Sequence, residues 1–185
     1  MKKIFLDCGT HMGEGLNKFA EAYNMDKNWE IYSFEPNTYL WKDHVEQNIH
    51  DNIHYINKAI FTNSNIITFN IAYPNTDASS IYKKHIGDNY YGSIDVECLD
   101  LSAFVLENFS KDDFIVAKLD IEGAEYAVLR KMITDSSLEY INELFVEFHS
   151  HKDEHAILEN GESKDSTFKL IEEIKALGIK FTHWI

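Results

Sequence analysis

"IFLDCGTHMGEG", residues 4–15, is the stretch that decides the fold. Ile4, Phe5 and Leu6 run into Asp7, Gly9 and Gly13 bracket a turn, and Leu16, Phe19, Ala20 and Tyr23 then recur at helical spacing. An apolar run that ends on an acid, turns on glycines and enters a helix is the opening unit of an α/β sheet. Such a sheet takes its ligand beyond the carboxyl ends of its strands. The glycines Gly9, Gly13 and Gly15 read G-x-x-x-G-x-G, not the G-x-G-x-x-G that brings a pyrophosphate to a helix amino terminus. An acid at the strand tip suits a ligand carrying an ammonium and a sulfonium better than it suits a pyrophosphate.

Working outward, further strands are expected at EIYSFE (30–35), IHYINKAIF (53–61), DFIVAKLD (113–120), NELFVEFH (142–149) and IKFTHWI (179–185). Helical patterns separate several of them. One follows Asn37 and Thr38 through Leu40, Trp41, His44, Val45 and Asn48, and one covers Glu122 to Ile133. A last apolar stripe, Phe168, Ile171, Ile174 and Leu177, is closed by Gly178. Residues 62–100 break this rhythm: ITFNIAY and SIDVECLDL read as extended, with a polar stretch between them. The expectation is one domain over 1–185, with a mostly parallel sheet, helices on both faces and an inserted β-rich and loop segment around 62–100. The first strand is expected without a helix before it, and the sheet to end at a sixth strand.

Composition limits the function classes. A hydrophobic share of 44% fits a globular protein, and the net charge is −14. Arg130 is the only arginine, so a nucleic-acid partner would find neither a basic field nor the bidentate reader of phosphate. Two cysteines, Cys8 and Cys98, are too few for a disulfide scaffold and read as small buried hydrophobes. No stretch has the length of a membrane span or of a signal-peptide core, so a reducing, cytoplasmic setting without membrane contact is expected.

Three motifs carry the chemistry. Asp7 is the first. The second is Glu35 at the end of the second strand, followed by Pro36 and Asn37; an acid there can accept two ribose hydroxyls at once. The third is KLDIEGAE (118–125), where period-two alternation puts Lys118 and Asp120 on one side of a strand and Glu122 and Glu125 just beyond it. Three carboxylates at one strand tip are costly unless a cation, a donor or a substrate hydroxyl answers them, although a helix amino terminus also tolerates Glu122 and Glu125.

Together these motifs resemble the FkbM family of S-adenosylmethionine-dependent methyltransferases. The resemblance runs from "FLDCGTHMGEG" through "SFEPN", "NKAIF" and "LDLSAF" to "KLDIEGAEYAVLRKM" and "ELFVEFH". It implies a Rossmann-like class I methyltransferase fold with S-adenosylmethionine as cofactor. It places Asp7 and Gly9, with Thr10, His11 and Gly13 of the same turn, on the methionine and ribose side. Glu35 and Pro36 fall at the ribose, Asn57 to Ala59 at the adenine edge, and Asp120 opposite the transferable methyl. Where the family usually has a small residue and then Asn after the first glycine, this chain has Thr10 and His11. The implied acceptor is a hydroxyl of a small molecule or sugar, with Asp120 and His149 as the groups that receive or orient its proton. The alternative is an adenosyl-binding or regulatory protein without catalysis.

The tract EFHSHKDEH offers His149, His151 and His155, and only His149 falls at a strand end. No metal ligand is assigned from the sequence, although Asp120, Glu122 and His149 could imitate a carboxylate-held divalent site. Trp41, Tyr90, Tyr91 and Trp184 read as core before they read as stacking partners. Residues 74–93, "PNTDASSIYKKHIGDNYYGS", read as a lid for the acceptor.

Overall fold

A computed structural model describes residues 1–40, 52–73, 78–149 and 162–184. In chain order the elements are β1 (Lys3–Cys8), α1 (Glu14–Ala22), β2 (Trp29–Phe34), β3 (Ile53–Ile56), β4 (Ala59–Phe61) and β5 (Ile66–Ala72). Then come α2 (Lys83–Ile86), β6 (Tyr90–Asp100), α3 (Leu101–Asn108), β7 (Phe114–Leu119), α4 (Glu125–Thr134), β8 (Glu143–Val146), α5 (Lys164–Ala176) and β9 (Lys180–His183). Six strands form one sheet in the order β3-β2-β1-β7-β8-β9, and every neighbouring pair is parallel. This is the Rossmann-like arrangement expected from the apolar runs.

The strands' alternation sorts the core into two layers. Ile4, Leu6 and Cys8 of β1, with Ile115, Ala117 and Leu119 of β7, pack on Leu101 and Val105 of α3, Leu129 of α4 and Ile174 of α5. Phe5 and Val116 face the other way, onto Leu16 and Phe19 of α1. Both faces are therefore covered, as a parallel sheet requires. On the α1 face, Asp7 and Lys118 follow Phe5 and Val116 in the alternation and stand side by side in register.

Several expected boundaries change. The run 53–61 is not one strand. It leaves the large sheet at Ile56, and Ala59–Phe61 enters a second sheet of order β4-β6-β5, where β4 runs parallel and β5 antiparallel to β6. The fourth helix begins at Glu125 rather than Glu122, because Glu122 and Gly123 have φ of 53° and 103°, outside the helical region. In α5 the buried positions are Thr167, Leu170 and Ile174, while Phe168 and Leu177 are exposed. Ile171 and Ile174 of the expected stripe do pack on the core, while at the amino-terminal end Thr167 takes the inner position, its hydroxyl 2.9 Å from the buried Tyr126 hydroxyl. The helix expected after Thr38 starts at 38–40, and the rest of it lies outside the described residues.

Candidate functional site

Strand order reverses between β1 and β7, so the loops leaving these two strands diverge and open a crevice. A cleft of about 480 Å³ lies there, inside the ~300–1,000 Å³ range of small-molecule sites. Its floor is the loop from Gly9 to His11, the residues after β2 (Glu35 to Asn37) and the residues after β7 (Asp120 to Glu122). Ala59 and Ile60 of β4, with Phe69 and Ala72 of β5, form an apolar wall, so the inserted sheet closes the site laterally.

Backbone hydrogen bonds tie the three strand tips together. Gly9 and Thr10 N–H groups donate to Phe34 O at 3.0 and 3.1 Å, and Asp120 N–H donates to Cys8 O at 3.1 Å. Gly9 has φ +85°, and a Cβ there would lie 1.8 Å from Asp120 O, so only glycine lets these loops pass. His11 follows at φ 51°, a left-handed conformation in which His is enriched among non-glycine residues. Its N–H donates to Glu35 Oε2 at 2.9 Å, and Asn37 N–H donates to Oε1 at 2.8 Å. Each Glu35 oxygen keeps a second lone pair. Burial pushes the Glu35 carboxyl above its usual range, against the opposing pull of these two N–H groups.

The expected site residues divide into those that line the cleft and those that act behind it. Gly9, Thr10, His11, Glu35, Pro36, Ala59 and Asp120 line it. The Thr10 hydroxyl, however, turns toward the sheet, 2.7 Å from Ser33 Oγ and bonded to Asp7 O. Asp7 itself is fully buried, and neither of its oxygens accepts a hydrogen bond from the described residues. It meets Lys118 Nζ at 3.5 Å, and the same ammonium lies 3.2 Å from Asp120 and donates to Gly9 O at 2.9 Å. Burial lowers the Lys118 pKa, but Asp7 and Asp120 more than offset it, so the ammonium is retained. Asp7 thus holds the lysine that ties β1 to β7 and does not face the cleft. Gly13 serves as the amino-terminal cap of α1 at φ 89°. The Asn57 amide donates to Glu35 O at 2.7 Å and to Pro36 O, which fixes the loop after β2 from behind.

Beyond β7 an acidic cluster surrounds His149. The Glu125 carboxylate is fully buried, accepts N–H bonds from Ile121 and Gly123, and lies 2.9 Å from His149 Nδ1. His149 Nε2 faces Glu122 at 3.2 Å and Asp120 and Glu147 at 3.7 Å each. His85, from α2, places Nε2 2.6 Å from Glu122 Oε2, and Ser80 Oγ donates to Glu122 O at 2.5 Å. Burial raises the Glu122 carboxyl, yet His149 and His85 overcome this and bring it to about 2. Burial also raises Asp120; Lys118 and His149 oppose that shift, and Glu147 and Glu122 add to it. His149 moves well above its usual range because Glu125 and Glu122 outweigh its own burial. Asp120, Glu122 and Glu147 line the cleft, whereas His149 stands behind them.

Of the residues around His149, Glu147 is not singled out in the sequence, whereas Glu125 is read in the KLDIEGAE motif and His85 only within the 74–93 stretch. Glu147 was detectable, since it shares the alternation of His149 past β8. Glu125 was visible only as one acid among three. His85 comes from a segment with no periodic signal, and its contact exists only through the fold. Of the expected lid, residues 74–77 lie outside the described residues, 78–89 close over the β7 tip through Ser80 and His85, and Tyr90 onward belongs to β6. Trp41, His151 and His155 also lie outside the described residues. Trp184 packs on Phe19 with ring centroids 5.0 Å apart and borders the cleft, and Tyr91 meets Tyr73 at 5.4 Å.

A family model described as "Methyltransferase FkbM domain" matches residues 7–180, nearly the whole chain. The search of curated proteins and the search of solved structures each found no match.

Proposed function

The chain belongs to the FkbM methyltransferase family, and from that premise we propose that it transfers a methyl group from S-adenosylmethionine to a hydroxyl of a small molecule or sugar. The observation that carries this reading is Glu35: a carboxylate on the cleft floor, both oxygens anchored by backbone N–H groups, each with a lone pair left for a vicinal diol. The cofactor, when bound, supplies an electrophilic methyl on a sulfonium. Glu35 takes the ribose hydroxyls, and Pro36, Ala59 and Ile60 offer an apolar bed for adenine. The loop from Gly9 to His11 approaches the methionine portion.

Asp120 stands at the end of β7, where the acceptor meets the methyl. The Asp120 carboxylate would receive the proton that the acceptor hydroxyl loses on methylation. Its raised pKa makes it a better proton acceptor than an ordinary aspartate. Lys118 fixes Asp120 from below, and His149 positions it from behind. Holding the hydroxyl in line with the sulfonium can supply roughly 7–11 kcal/mol in favourable cases. Residues 78–89 cover the acceptor side and exclude water.

The net charge of −14 disfavours a nucleic-acid acceptor. No helix among the described residues is long and apolar enough to cross a membrane, and Cys8 and Cys98 are free and buried, in keeping with a cytoplasmic enzyme. Calorimetry with S-adenosylmethionine against NAD tests the cofactor, and a mass-spectrometric acceptor screen with labelled cofactor tests the reaction. Binding of NAD in preference would overturn the reading. Cofactor binding without turnover on any hydroxyl acceptor would favour an adenosyl-binding regulatory protein.

A further inference from the structure

The cluster behind the cleft contains a contradiction. Asp120, Glu122, Glu125 and Glu147 converge on two imidazoles, and Lys118 is already shared between Asp7 and Asp120. At the centre, His149 Nε2 has no well-aligned hydrogen-bond partner among the described residues, with Glu122 nearest at 3.2 Å, although its side chain has no solvent exposure. A buried ring nitrogen without a partner is costly. The other ring nitrogen explains its state. Nδ1 is committed to the buried Glu125 carboxylate, which leaves Nε2 to face the carboxylates of Glu122, Asp120 and Glu147. Four carboxylates around one imidazole leave negative charge in excess, which a further cation among them would offset.

We propose that Asp120, Glu122, Glu147, His149 and His85 form a binding site for one first-row divalent transition-metal ion. Two overlapping sets already stand at ligand spacing: in His85–Glu122–His149 and in Asp120–Glu147–His149, one donor atom per residue lies within 4.8 Å of the others. An ion with ligands at about 2.1 Å needs neighbouring donors about 3 Å and opposite ones about 4 Å apart, so contraction by a fraction of an ångström within either set closes it around an ion shared through His149. Glu125 supplies the carboxylate–histidine support that orients metal-bound imidazoles. Imidazole nitrogens beside several carboxylates select Mn²⁺, Fe²⁺, Co²⁺ or Zn²⁺ over Mg²⁺ or Ca²⁺, which prefer all-oxygen cages. Asp120, Glu122 and Glu147 also border the cleft, so the ion would be reachable by a ligand oxygen there.

The test uses the full chain, stripped with a chelator and desalted, without cofactor or acceptor. Mn²⁺ binding is read from loss of the free-ion electron paramagnetic resonance signal, and Co²⁺ binding from its visible absorption. One ion per chain should bind, with a cobalt spectrum showing nitrogen ligation. Glu122→Gln and His149→Ala should each weaken Mn²⁺ binding by roughly 10–100-fold or more. Glu122→Gln keeps the side-chain shape, and its circular dichroism shows that it is folded should His149→Ala fail to fold. The proposal is overturned if wild type and Glu122→Gln bind Mn²⁺ equally, or if wild type binds none at millimolar metal. In either case His149 is an imidazolium caged by carboxylates. Because no cofactor takes part, failure here leaves the methyl-transfer reading standing, and failure of that reading leaves the ion site standing.

Discussion

Gly9→Ala tests the crossing on which the cleft depends. Gly9 has φ +85°, and an added Cβ would lie 1.8 Å from Asp120 O and 2.9 Å from Asp120 C, both backbone atoms that cannot swing aside. Two costs follow. Left-handed backbone costs a non-glycine residue about 1–2 kcal/mol. Forcing apart the packed loops costs about 1–3 kcal/mol more. Gly178 separates the two: it has φ +81° but nothing within 4 Å of its added Cβ, so Gly178→Ala carries the conformational cost alone. At ~2–4 °C per kcal/mol for a chain of this size, Gly178→Ala should lower Tm by roughly 2–8 °C and Gly9→Ala by roughly 4–20 °C. The assay is thermal unfolding of both variants in one buffer, followed by circular dichroism. If Gly9→Ala melts no lower than Gly178→Ala, the β1 and β7 loops do not touch as described, and the site geometry built on that contact is wrong.

Lys118→Met removes the ammonium that Asp7 and Asp120 share, and should destabilise the fold by about 3–5 kcal/mol in denaturant unfolding, the usual result of orphaning a buried charge. Adding Asp7→Leu should recover part of that loss; a double variant as unstable as the sum of the singles would show that the two residues are not coupled. Asp120→Asn should lower turnover far more than S-adenosylmethionine affinity, since it preserves shape while removing the proton acceptor; equal turnover would remove Asp120 from the chemistry. Glu35 gives a pH prediction. Its folded pKa lies above the unfolded value, so the folded state binds the extra proton between the two, and stability falls as pH rises through that window. Cofactor affinity should run the opposite way, weakening as pH drops through the raised Glu35 pKa, so its acid limb should begin above pH 4.5, the ordinary glutamate value. A limb centred on the ordinary value would contradict the burial argument.

How much of this was legible in the sequence depends on how local the signal was. The strands carrying Asp7, Glu35 and Asp120 are short apolar runs ending on acids, and a buried parallel sheet writes itself that way. The division at Asn57 and Lys58 is marked in the sequence only by that two-residue polar break, short enough to read as part of one strand; only the second sheet, paired through β6, makes the chain change layers there. Asp7 looked like a ligand-facing acid, and alternation alone could not tell that Lys118 occupies the adjacent register position and takes up its charge. His85 had no periodic context at all. Its place beside Glu122 follows from how α2 docks, which no local pattern encodes. The residue two after Gly9 illustrates the reverse: His11 is a type that tolerates the left-handed backbone by which its N–H reaches Glu35.

The most direct test of the central claim is calorimetric titration of S-adenosylmethionine into wild type and Glu35→Ala side by side. One-to-one binding to wild type is expected, in the cleft between the tips of β1, β2 and β7. The variant should lose roughly 1.5–3 kcal/mol, or about 10–150-fold in Kd, the usual worth of hydrogen bonds to a charged group. Equal affinity for a folded Glu35→Ala protein, or no binding to wild type, would contradict that claim.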